Sequence, residues 1–135
     1  ALSAKAFSPK TKVIGCEPKM ADDAYQSFKS GEWQPSVNPK TLADGLKTSL
    51  GKLNFEIIQK DVDDILVCGE GEMLCAMQLI WERMKIVVEP SAAVPLACIM
   101  ANTEKFKGKR VGLIISGGNV DLGDFFGLMD QKRSD

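Results

Sequence analysis

The 135-residue sequence contains no histidine. That absence excludes an imidazole general base, a Ser-His or Cys-His nucleophile pair and a histidine-bound metal, so any chemistry must run on lysine, carboxylate, hydroxyl or a cofactor. The four cysteines, Cys16, Cys68, Cys75 and Cys98, include no C-x-x-C pair of the kind that marks zinc or redox sites. Their apolar surroundings point to reduced, buried thiols, as expected of a cytoplasmic protein. An excess of positive charge is also missing: 17 Lys and Arg against 18 Asp and Glu leave a net charge of -1. No basic face is on offer to nucleic-acid phosphates or to an anionic membrane, so neither is expected as a partner. The longest apolar runs, Ile86 to Val88 and Val111 to Ile115, fall far short of the roughly 20 residues of a membrane span. The first seven residues show neither the charged start nor the apolar stretch of a secretory signal. Internal repeats and low-complexity tracts are absent.

What is present is the composition of a soluble globular domain, 44% apolar and 26% charged. Leu2 to Phe7 reads as the last turns of a helix, stopped by Ser8-Pro9. Thr11 to Cys16 is a short β-branched run ending at Glu17-Pro18, a strand followed by a loop. Ala21 to Lys29 follows as a helix with Asp22 and Asp23 in its first turn. From Ser30 to Gly51 the pattern dissolves into Gly, Pro, Asn and Ser, predicting a long ordered loop of the kind that often carries function. Phe55 to Lys60 predicts a short helix, Asp64 to Cys68 a buried strand, and Glu70 to Met84 an amphipathic helix with Met73, Met77, Ile80, Trp81 and Met84 on one face. Ile86 to Val88 and Lys109 to Ile115 are further strand candidates. Between them Ser91 is placed to cap an apolar helix through Met100, and Val120 to Met129 predicts a last helix. Strands alternating with helices imply an α/β fold with a mostly parallel sheet covered on both faces. In such folds ligands gather at the carboxyl ends of strands. Three predicted strand ends carry polar or glycine-rich turns: Cys16-Glu17-Pro18, Val88-Glu89-Pro90-Ser91 and Ile115-Ser116-Gly117-Gly118-Asn119.

Four stretches carry a resemblance: Glu17-Pro18-Lys19-Met20-Ala21-Asp22-Asp23; Thr41-Leu42-Ala43-Asp44-Gly45; Trp81 to Lys85 continuing into Val88-Glu89-Pro90-Ser91; and Ile115 to Asp121. In that order and spacing, over nearly the whole chain, they resemble the fold-type II pyridoxal-phosphate enzymes, specifically the serine racemase and serine/threonine dehydratase family. The resemblance implies that residues 1–135 form the carboxyl-terminal part of a tryptophan-synthase-β-like large domain. The cofactor lysine, the phosphate-binding glycine loop and a small substrate domain would lie upstream. It also implies a homodimer that racemises serine or a related hydroxy amino acid, or eliminates its β-hydroxyl to give a keto acid and ammonia. This chain by itself is expected to be inactive, and a non-catalytic fragment or interaction module is the alternative reading. A flavodoxin-like or nucleotide-binding domain shares the fold class but would need a phosphate-binding glycine loop after its first strand, and none is present.

The site residues follow from residue chemistry and resemblance together. Ser116 follows an apolar run and precedes two glycines, which would set its hydroxyl at the sheet edge with room for a planar ligand. The resemblance places it against the pyridine nitrogen, with Gly117 beside it. Glu89 would lie close to the ring, although the residues alone equally allow a cap on the following helix. Gly45 matches a glycine packed on one ring face, and on its own is also an ordinary loop glycine. Glu17, Ala21 and Asp23 match a site for Mg2+, or Ca2+ or Mn2+, built from two carboxylates and a backbone carbonyl with water completing the shell. From spacing alone, the same residues form a solvated loop leading into an acidic helix start. Lys85 and Asn119 correspond to contacts of a regulatory nucleotide such as ATP at a dimer interface, while Lys85 also suits a helix carboxyl end. Thr48 stands where the racemase pattern has a serine near the substrate carboxylate. That change keeps the hydroxyl but adds a methyl at the substrate contact, and Glu-Pro-Ser-Ala-Ala-Val-Pro from Glu89 to Pro95, in place of a racemase-like Glu-Pro-Thr-Ala-Gly, leans toward dehydratases.

Overall fold

A computed structural model describes residues 1–133, with side chains described through Gly127. Two strands, β1 (Ile14–Pro18) and β2 (Asp64–Cys68), pair in parallel with Ile14 opposite Asp64 and Pro18 opposite Cys68. Parallel neighbours need a long crossover. Here it contains α2 (Asp23–Ser30), a 3-10 turn (Asp44–Leu46) and α3 (Lys52–Asp61). Because side chains alternate across a strand, Cys16, Leu66 and Cys68 share one face and Glu17 lies on the other. The first face packs against α5 (Pro90–Ala101): the Cys98 thiol lies 3.6 Å from the Leu66 carbonyl. On the second face Glu17 accepts a hydrogen bond from the Tyr25 amide of α2. The expectation of helices on both faces of a parallel sheet therefore holds in these two strands.

α5 is nearly apolar, and its small residues Ala92, Ala93 and Ala97 let α4 (Glu70–Leu79) approach closely. Met73, Met77 and Ile80 fill the space between these helices and Cys68, forming the main core. α4 starts where Glu72 Oε2 accepts the Gly69 amide at 2.7 Å, and its acidic first turn suits the helix dipole. The single helix expected over 70–84 changes winding after Leu79. Ile80–Met84 forms a π-helical turn, ended by Lys85 in the left-handed region at φ 60°. The wider turn keeps Trp81 inward, where its indole N–H donates to the Val88 carbonyl at 3.1 Å and its ring stacks on Phe125 of α7 (Leu122–Arg133). α1 (Leu2–Phe7) and α6 (Thr103–Phe106) complete the described elements.

Three expectations need correction. Neither 86–88 nor 109–115 forms a ladder strand: one backbone bond, from the Glu89 N–H to the Gly117 carbonyl at 3.3 Å, joins the two regions. A strand needs a run of lateral partners, and among the described residues these segments have none. Ser91 does not cap α5. Glu89 occupies that position and Pro90 the first helical one, where its missing N–H costs nothing. Finally, β1 begins at Ile14 rather than Thr11 and runs on through Glu17 and Pro18.

Candidate functional site

Two clusters gather at the carboxyl ends of β1 and β2. The first is built on carboxylates. Glu17, at the end of β1, points toward α2, and its Oε2 accepts the Tyr25 amide at 2.7 Å. Burial drives its pKa up to about 7; the Tyr25 and Ala24 amides oppose the shift, and the negative charges of Asp23 and Asp22 add to it. Asp23 is buried, and its Oδ2 accepts the Leu50 amide at 2.8 Å. Both side chains line a cavity of about 250 Å³ together with Gly45, Thr48 and Leu50. Ala21 is buried in the adjoining turn, its amide donating to the Pro18 carbonyl, but it does not line the cavity.

The cavity wall is held by the long loop. The Trp33 indole N–H donates to the Leu50 carbonyl at 2.7 Å, and Ser49 Oγ accepts the Ser36 amide at 2.9 Å. The Lys52 ammonium lies 5.1 Å from the centre of the Trp33 ring. Thr48 is exposed at the cavity mouth.

The second cluster is glycine-rich. Gly117 has φ +90°, and a Cβ there would stand 2.4 Å from the Glu89 carboxyl carbon, so a side chain would strain the backbone and push that carboxylate aside. Glu89 Oε2 also accepts the Asn119 amide at 3.1 Å. Glu89 therefore clasps the 117–119 turn with its side chain and makes no side-chain cap to its own helix, which removes one of the two roles left open by its sequence. A Cβ on Gly45 would meet Ser91 Oγ at 3.1 Å and Glu89 Oε1 at 3.9 Å, which places Gly45 beside the same clasp. Ser116 is exposed, has no hydrogen bond among the described residues, and lies outside the carboxylate cavity. Lys85 is exposed, and no hydrogen bond or ion pair joins it to Asn119.

Two residues that sequence reasoning missed complete the arrangement. Glu70 Oε2 accepts the Leu42 amide at 2.7 Å, fixing the turn that presents Gly45, while its other oxygen is buried without a partner. Ser91 Oγ is likewise buried and unpaired. Glu70 had read only as a helix start; the available signal was a carboxylate placed directly after a strand end and Gly69.

Residues 1–117 match the family model for a pyridoxal-phosphate dependent enzyme. The chain belongs to that family. It is 49% identical to a beta-hydroxyaspartate dehydratase of Paracoccus denitrificans, over 90% of this chain and 38% of that protein. It is 44% identical to an L-threo-3-hydroxyaspartate ammonia-lyase of Saccharomyces cerevisiae, over 98% of this chain and 41% of the relative. Among solved structures, serine racemase from Dictyostelium discoideum superposes with a TM-score of 0.80 at 48% identity, covering 90% of this chain and 39% of that one. The chain thus spans about two-fifths of the length of these relatives. Its small parallel sheet and surrounding helices match part of their α/β domain.

Proposed function

We propose that this chain forms one wall of the active site in a pyridoxal-phosphate enzyme that removes the Cα proton of a β-hydroxy amino acid, followed by loss of the hydroxyl or by reprotonation. The observation that carries the reading is the Glu89 clasp: a carboxylate seated on Gly117, Gly45 alongside, and the Ser116 hydroxyl exposed next to it. This donor set fits a planar, nitrogen-containing ring, because glycine backbone permits close approach and the buried, unpaired Ser91 hydroxyl and the exposed Ser116 hydroxyl leave polar partners to spare. When bound, pyridoxal phosphate supplies an electron sink for the pair left at Cα. Ser116 would face the pyridine nitrogen as a neutral partner, Gly45 and Gly117 would lie along the ring, and Glu89 would orient the 117–119 turn. Thr48 would offer its hydroxyl to the substrate carboxylate.

Glu17 and Asp23 fit a divalent cation. Two neighbouring carboxylates share one cavity, and burial and like charge raise the pKa of Glu17, so a hard cation would relieve both effects. Among the described residues no set of three or more His, Cys, Asp or Glu side chains is placed to hold a metal. The remaining ligands would be the Ala21 carbonyl and water, a composition that suits Mg2+. Lys85 and Asn119 are the candidate contacts of a nucleotide effector in a homodimer, both side chains being exposed.

The test uses the full-length protein carrying this chain, loaded with pyridoxal phosphate and given L-serine or threo-3-hydroxyaspartate. Keto acid and ammonia, or the opposite enantiomer on chiral chromatography, are the expected products. Ser116→Ala should lower kcat/KM roughly tenfold, the loss of one hydrogen bond worth about 1–2 kcal/mol. Unchanged turnover in that variant would remove Ser116 from the site.

A further inference from the structure

The core beneath the site holds three thiols contributed by three elements: Cys16 on β1, Cys68 on β2 and Cys98 on α5. The register sets Cys16 opposite Leu66, and the Cys98 thiol lies 3.6 Å from the Leu66 carbonyl, which brings α5 over that strand pair at Cys16. One helical turn earlier, the Val94 carbonyl lies 4.0 Å from the Cys68 thiol. All the cysteines are reduced in this structure. The three thiols differ in exposure: Cys68 and Cys98 are buried, whereas Cys16 is only half-buried.

We propose that Cys16 and Cys98 are a peroxide-oxidisable pair that closes to a disulfide between β1 and α5. The Cys16 thiolate attacks one oxygen of hydrogen peroxide. The O–O bond breaks, that oxygen stays on sulfur as a sulfenic acid, and the other leaves as hydroxide and is protonated to water. The Cys98 sulfur then displaces the hydroxyl from Cys16, forming the S–S bond and releasing a second water as the Cys98 proton is lost. In total two thiols lose two hydrogens and one peroxide becomes two waters. Cys16 is the attacking group because it alone of these three thiols is open to solvent. The bond would tie the strand that carries Glu17 to the helix that begins after Glu89, fastening together the two clusters described above.

The experiment treats the reduced full-length protein with hydrogen peroxide, blocks remaining thiols by alkylation, digests with trypsin and reads the peptides by mass spectrometry. Cleavage after lysine and arginine puts Cys16 in the peptide 13–19, Cys98 in 86–105, and Cys68 with Cys75 in 61–83. The expected product joins 13–19 to 86–105, two hydrogens lighter than the sum of the parts, and reverts with dithiothreitol. Cys16→Ser and Cys98→Ala should each abolish it, and Cys75→Ser should leave it intact. Circular dichroism of the reduced variants shows that they fold. A link from 61–83 to 86–105, oxidation confined to Cys75, or no linked species from folded protein would each overturn the assignment. None of these readouts depends on bound cofactor or turnover, so the result stands apart from the proposed activity.

Discussion

Two apolar regions of this chain meet opposite fates. Between α5 and α4, Ala92, Ala93, Val94, Ala97 and Cys98 are buried against Met73, Ala76 and Met77, with Met77 at 0% exposure. The run from Val111 to Ile115 is as apolar in sequence, yet Val111, Leu113 and Ile114 stand 44%, 38% and 84% exposed. A helix satisfies its own backbone and needs only one covered face, whereas a strand needs a neighbour for its backbone and cover for its side chains. Apolar content selects what can be buried; lateral partners decide what becomes a strand.

The largest expected effect breaks this comparison directly. In the 135-residue chain, Met77→Ala should cost about 2–5 kcal/mol, the loss of a packed side chain plus the cavity left behind. Ile114→Thr should stay within about 0.5 kcal/mol, as for an exposed position. Urea denaturation gives both numbers, and equal losses would erase the distinction between the two regions.

A smaller effect sharpens it at the one place where the exposed region is tied to the packed one. Gly117→Ala must accommodate both φ +90° and a Cβ 2.4 Å from the Glu89 carboxyl carbon, a cost of about 1–3 kcal/mol. In a Glu89→Ala background the collision disappears and only the backbone strain is left, so the penalty should shrink. A penalty of the same size in both backgrounds would mean that the carboxylate does not rest on the glycine.

The smallest effect depends on pH. The folded state holds the Glu17 proton more tightly than the unfolded chain does, with a pKa of about 7 against 4.5. Stability should therefore fall as pH rises from the unfolded value through about 7, by on the order of 1–2 kcal/mol after allowance for the partial exposure of the group. Denaturation curves at about pH 5 and about pH 8 read this slope. Glu17→Gln should flatten it, and added Mg2+ should recover stability at the higher pH. A slope that survives the substitution would assign it to another group.

The sequence was most legible where local pattern and packing agree. The β2 run reads as a strand and is one over the same residues, Asp64 to Cys68, with Ile65 and Cys68 buried. The spacing of Met73, Met77 and Ile80 marks the core face of α4. The π-helical turn after Leu79 was not legible: Ile80 is buried, but Met84, expected on the same face, stands 55% exposed. Glu17, Asp23, Gly45 and Thr48 come together around one cavity, whereas their motifs read as three separate contacts, with a metal, a ring face and a substrate. Glu70 and the unpaired Ser91 hydroxyl were not legible, since their roles depend on which loop amide or glycine the crossover brings alongside. Ser116 was expected at a ladder edge; it is exposed beside a clasped turn, because its segment lacks the partners a ladder requires.

At the amino end of the strand pair, Asp63 and Asp64 together receive four lysines. Lys5 of α1 and Lys12 meet Asp63; Lys29 near the end of α2 and Lys105 of α6 meet Asp64. Against burial, Lys105 and Lys29 hold the Asp64 pKa at about 2, and Lys5 with Lys12 holds that of Asp63 well below the usual carboxylate range. One dipeptide is thus the electrostatic hub for four separate stretches of chain, at the far end of the sheet from the Glu17 cavity. Because such contacts near the surface are screened by dissolved ions, brine should slacken α1 and α6 together and leave the cavity's geometry undisturbed.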